Sequence, residues 1–273
     1  MPLSSSFSHL LRALGWRSLL HGDAHELTQW LRASQITRLM TCVLCIVVGG
    51  GIYGVSVGMW RSPLMGVYVG MKLPILILLT LGCNALLNGL LGLLLGSGLG
   101  LQRSLLALLM SFSVFSLLLG ALAPVAAFLS WSLPQADSAG SSTAHAGLLL
   151  LHTTLIGFAG VVSQWHLLRT LREYCPTPRV AKLTLLSWLA GNGFVGAQFS
   201  WVLRPFFGSP ELEVAFLRPD PLAGTFYYAV WRSLVELLSH AGPRFYWGLI
   251  SVLVIILISL VQRRSARAAF THS

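Results

Sequence analysis

LPILILLTLGCNALLNGLLGLLL, residues 73–95, is an apolar run without a single charged side chain, and its length decides which solvent surrounds the chain. Roughly 20 apolar residues at helical rise cover the roughly 30 Å of hydrocarbon in a bilayer. Five more runs of the same character accompany it, at 36–60, 104–131, 146–168, 183–202 and 245–261. In lipid, a segment must satisfy its own backbone N–H and C=O groups, and a helix does so. The fold class expected is therefore all-α: a polytopic membrane helix bundle of six transmembrane helices.

Composition leads to the same place. The 273 residues are 55% hydrophobic and only 10% charged, too little polar surface to clothe a water-soluble globule. The formal charge of +10 is spread over connections and ends rather than gathered on one polar domain, which excludes a nucleic-acid partner and points to topology signals.

With the first segment placed in the cytoplasm, the inside segments hold Arg12, Arg17, Arg32, Arg38, Arg103, Arg169, Arg172, Arg179, Lys182, Arg263, Arg264 and Arg267, twelve of the eighteen basic residues. Arg61, Lys72, Arg204, Arg218, Arg232 and Arg244 fall outside. The excess of Lys and Arg marks the cytoplasmic side, so both termini are expected there. Trp60, Trp131, Trp165, Trp188, Trp201 and Trp247 lie near the expected span ends, where indole rings favour the interface.

Around the six-span domain, 36–261, three other segments are expected. Residues 1–35 begin their apolar run too late for a cleavable signal and show Phe7, Leu10, Leu11 and Leu14 at helical spacing, an amphipathic segment suited to the cytoplasmic headgroups. The connection 132–144, rich in Ser, Ala and Gly, is expected to be a loop. The outer connection 203–244 is expected to be partly helical: a short extended stretch alternates at Glu211, Glu213 and Ala215, and a helix over 226–238 has Arg232 and Glu236 four apart. A basic tail, 262–273, closes the chain.

Several intramembrane residues stand out. Asn84 and Asn88 are four apart and share a helix face, where their amides can bond to a neighbouring helix or face a substrate. Gly50, Gly54 and Gly58, and Gly92 and Gly96, have the spacing that allows close helix approach. His152, beside Thr153 and Thr154, is an ionisable group inside a span and so a functional candidate. The fifth run carries Gly191, Asn192, Gly193, Gly196 and Gln198, followed by Arg204; glycines and amides weaken a helix and can expose carbonyls to a cavity. Arg204 can meet Glu211, Glu213 or an anionic lipid.

Other residues point away from chemistry. Cys42 and Cys45 form C-x-x-C within a span, without the strand-turn-helix setting of a redox motif or a second pair to complete a zinc site. Cys83 and Cys175 are isolated. His152 and His166 are fourteen residues apart, about 21 Å along a helix, too far to share a site. His145 and His240 could meet on the outer side. No catalytic set, metal site or cofactor is expected.

The stretch 72–124 opens with K-L-P, turns at G-S-G-L-G-L-Q-R-S and closes on G-A-L-A-P. It resembles Yip1-like bacterial multi-pass membrane proteins over about a fifth of the chain. The resemblance implies an organising or trafficking role in a bacterial cytoplasmic (inner) membrane without chemistry of its own, and it carries over no functional residue.

Three functional classes are compatible with these features. The first is a non-enzymatic structural or accessory subunit or scaffold, held to other membrane subunits or to a second copy of itself within the lipid bilayer. The second is the permease subunit of a transporter laid out like a type 2 ABC exporter, which needs a cytoplasmic coupling helix that the short 96–103 connection hardly supplies. The third, a membrane-embedded enzyme, needs convergent groups near the interface.

Overall fold

The computed structural model describes residues 36–134, 136, 141–208, 213–228 and 231. The chain divides into two compact units, Met1–Ala223 and Gly224–Ser273. Among the described residues the first unit is a bundle of five helices without strands: α1 (Ile36–Gly58), α2 (Pro63–Leu94), α3 (Leu101–Ser132), α4 (Ser141–Tyr174) and α5 (Pro178–Val202). In the second unit, Tyr228 N–H donates to Thr225 Oγ1 at 3.1 Å in a helical turn beginning at Phe226. The expected 1–35 segment, the Arg232 and Glu236 pair, the sixth span at 245–261 and the tail at 262–273 lie outside the described residues.

Four helices, α1 to α4, are long and apolar enough to cross a membrane, and they identify an integral membrane protein. Met40, Leu44, Ile52, Leu86, Leu94, Leu150 and Val161 on these helices are exposed, as side chains facing lipid or a neighbouring membrane helix would be. The fifth expected span is a helix, but it is not among the four; its amides and cations lower its hydropathy.

Helix ends differ from those expected because local capping extends helices past the apolar runs. The second starts ten residues before Leu73: Ser62 accepts from Met65 N–H at 3.1 Å as N-cap and Pro63 opens the first turn. Lys72 thus sits inside a helix rather than in an outside connection. Pro74 is tolerated in the interior, where it lies against Gly50. In the 132–144 connection, expected to be a loop throughout, Ser141–Ala144 already form the first turn of α4, and Ala136 is buried beside Trp60 and Leu148. Residues 213–215 have neither helix nor ladder.

α1 packs between α2 and α3, α5 lies on α2, and α4 lies on α3 and meets α5 more lightly. The close approach of α1 depends on glycine: a side chain at Gly54 would meet Val69 O, and one at Gly58 would meet Met65 O. The α2–α3 connection is a tight turn rather than a coupling helix. Gly96 and Gly98 take φ of 69° and 74°, and Ser97 N–H donates to Gly92 O at 2.9 Å, closing the end of α2 with a left-handed glycine.

Candidate functional site

Two polar centres lie inside the bundle. The first ties α2 to α5. Asn84, Asn88 and Asn192 are all buried. Asn84 Nδ2 donates to Gly191 O at 3.1 Å, and Asn88 Nδ2 donates to Asn192 Oδ1 at 3.2 Å. Trp188 adds an indole N–H to Asn88 O at 2.7 Å. The four-residue steps 84–88 and 188–192 put one turn of each helix against the other, so four side chains and two backbone carbonyls are matched in register. Asn88 Oδ1 has no partner among the described residues. α5 runs unbroken through Gly191, Gly193 and Gly196, so the expected weakening there opens no gap in the helix.

The second centre sits near the end of the bundle where α1 gives way to α2. His152 is wholly buried, and its Nδ1 lies 2.9 Å from Tyr53 Oη. The neighbouring threonines do not serve it: Thr153 and Thr154 hydroxyls donate to Leu149 O and Leu150 O of their own helix. Phe207 places its ring 5.7 Å from the imidazole, and Nε2 of His152 has no partner among the described residues. Alongside, buried Lys72 donates from Nζ to Pro205 O at 2.8 Å and lies 5.0 Å from the centre of the Phe216 ring and 5.9 Å from that of Phe206. A cation flanked by two rings and a carbonyl fastens the chain after α5 onto α2.

Arg204 stands beside this centre without joining it. Its Nη1 donates to Trp201 O at 2.7 Å and its guanidinium lies 3.8 Å from the centre of the Trp201 ring. Desolvation, and secondarily the charge of Arg218, holds the Arg204 guanidinium below its usual range. Glu211 lies outside the described residues; Glu213 lines a small pocket with Arg61 and Arg218. Gln198 is half-buried on α5. Among the described residues no three His, Cys, Asp or Glu side chains converge as a metal site would require. Just beyond α4, burial pushes the Cys175 thiol up, against thiolate chemistry there.

Sequence reading missed Lys72, Tyr53 and Trp188 as parts of these centres. A Ser-Pro cap before Lys72 was the available signal that it lies within a helix, and a lone tyrosine in an apolar run was the signal for Tyr53.

The amide tie lends itself to a double-mutant cycle. Asn88→Ala, Asn192→Ala and the double variant should show a coupling of about 0.6–1.7 kcal/mol, the range of hydrogen bonds between membrane helices. Denaturant unfolding in mixed micelles measures it. Strict additivity would mean that the two amides do not act together.

Compared with known protein families, curated proteins and solved structures, the chain matches none.

Proposed function

We propose that this chain is a non-enzymatic structural or accessory subunit of a membrane protein complex, related in role to Yip1-like proteins and seated in a bacterial cytoplasmic membrane with six spans and both termini in the cytoplasm. The observation that supports the reading is the use made of the polar side chains inside the bundle. Asn84, Asn88, Asn192 and Trp188 bond α2 to α5, Ser113 Oγ donates to Cys42 O at 3.0 Å between α3 and α1, and Ser111 Oγ donates to Ser163 O at 3.3 Å between α3 and α4. These groups hold helices in register. A catalytic set would instead converge on a point that a reacting atom can reach.

A rigid helix bundle with apolar outer faces acts by holding neighbours in place, through contacts between helices in lipid. Full-length protein extracted in mild detergent from its native membrane should carry a second membrane subunit at fixed stoichiometry, read by mass spectrometry of the intact complex. Reporter fusions at residues 1 and 273 should both read cytoplasmic. A chain that emerges alone from several detergents, or termini on opposite faces, overturns the proposal.

A further inference from the structure

Between α2, α3, α4 and α5 lies a cleft of about 400 Å³. Its walls are mostly apolar, with Phe112 and Phe115 on α3 and Ile156 on α4, and no charged side chain among the described residues lines it. Two amides face it. Asn192 has its Oδ1 engaged by Asn88, which leaves its Nδ2 uncommitted, and no hydrogen bond reaches the Gln164 amide from the described residues.

The glycines of this cleft behave differently from those of the α1 packing. A Cβ added at Gly54 or Gly58 would run into neighbouring backbone, whereas one added at Gly160 or Gly193 would meet nothing within 4 Å among the described residues. Among the described residues those two glycines line open space instead of bringing helices together.

We propose that this cleft binds a neutral single-chain lipid that carries a carbonyl or hydroxyl oxygen. The volume falls within the range of about 300–1,000 Å³ typical of small-molecule sites, and apolar walls with a few placed polar groups are the usual lining. An apolar chain lies along Phe112, Phe115 and Ile156, and its oxygen takes the free N–H groups of Gln164 and Asn192, which are costly to leave unpaired in hydrocarbon. A phospholipid headgroup finds no counter-charge there, and a neutral ligand needs none.

The test uses full-length protein in phosphatidylcholine vesicles containing a diazirine-bearing monoacylglycerol, with labelled peptides mapped after illumination. Labelling should concentrate on α4 and α5 around Gly160 and Gly193 and be displaced by plain monoacylglycerol. Gly160→Leu with Gly193→Leu should lower it by about tenfold, since filling a site excludes its ligand. Gln164→Leu should weaken it as well. Gly82→Leu adds the same bulk on α2, where a Cβ also meets nothing, and should leave labelling unchanged; the melting temperature of each variant reports whether the bundle is intact. Equal labelling by a diazirine phosphatidylcholine overturns the proposal, as does labelling indifferent to the filled cleft in a folded variant. A crosslink from a cysteine placed at Gly193 to residues 245–261 overturns it too, because the chain itself would then occupy the space.

Discussion

Gly49→Leu is expected to cost about 3 kcal/mol or more of bundle stability, at the upper end of what overpacking does in a close-packed interior. Gly49 on α1 faces Gly120 on α3, and a Cβ at Gly49 would overlap Ser116 O while one at Gly120 would come within 2.9 Å of Gly49 Cα. Both obstacles are backbone, which cannot swing aside as a flexible side chain does, so the helices have to separate. Separation also draws Ser113 away from Cys42 O and loosens the contacts that α1 makes with α3. Even Gly49→Ala should destabilise, although replacing glycine by alanine in an exposed helix normally stabilises by roughly 0.5–1 kcal/mol. At Gly82, where the added methyl meets none of the described residues, the same replacement should show that ordinary gain. Opposite signs at the two positions, read from unfolding in mixed micelles, are the result to look for. A Gly49→Leu protein that unfolds at the wild-type midpoint would mean that α1 and α3 are not in this contact.

The contrast between those glycines also marks what could be read from the sequence. Apolar run length alone revealed the helical class and located five helices, because crossing hydrocarbon demands a minimum number of residues whatever they pack against. Run length could not reveal where helices end, since caps such as Ser62 continue α2 well into polar sequence, and Lys72 was consequently placed outside. The shared face of Asn84 and Asn88 follows from helical periodicity. Their partners on α5 do not, because they come from a helix more than a hundred residues away. His152 suffers the same limit, with Tyr53 99 residues distant. Glycine spacing is ambiguous for a related reason: Gly54 and Gly58 admit a neighbouring helix, Gly160 and Gly193 border space left open by the described residues, and in one dimension the two uses look alike.

Trp188→Ala should produce the other large loss, about 3–5 kcal/mol, the usual range for emptying a buried indole site. Trp188 is fully buried in the cluster that joins Cys42 and Ile46 of α1, Ile77 and Leu81 of α2, the start of α3 and Leu167 and Leu171 of α4. In lipid the apolar driving force between helices is small, so what is lost on truncation is dispersion contact, and a fully buried indole has much of it to lose. The ring also fits a seat made for it: Gly92 leaves room for its edge, with Cζ2 3.5 Å from where a Cβ would stand, and the indole N–H reaches Asn88 O. Trp188→Phe keeps most of the ring contact and removes the hydrogen bond, so it should cost less, about 1–2 kcal/mol. Because α5 is attached to the bundle chiefly through α2, the alanine variant should also loosen α5 before the rest unfolds. Hydrogen exchange in micelles resolves this: amides of α5 near Ala190 should lose protection first in Trp188→Ala, while those of α1 near Val48 stay protected. Uniform loss of protection across both helices would show that α5 is not a separately released element, and no change at all would show that the indole does not hold it.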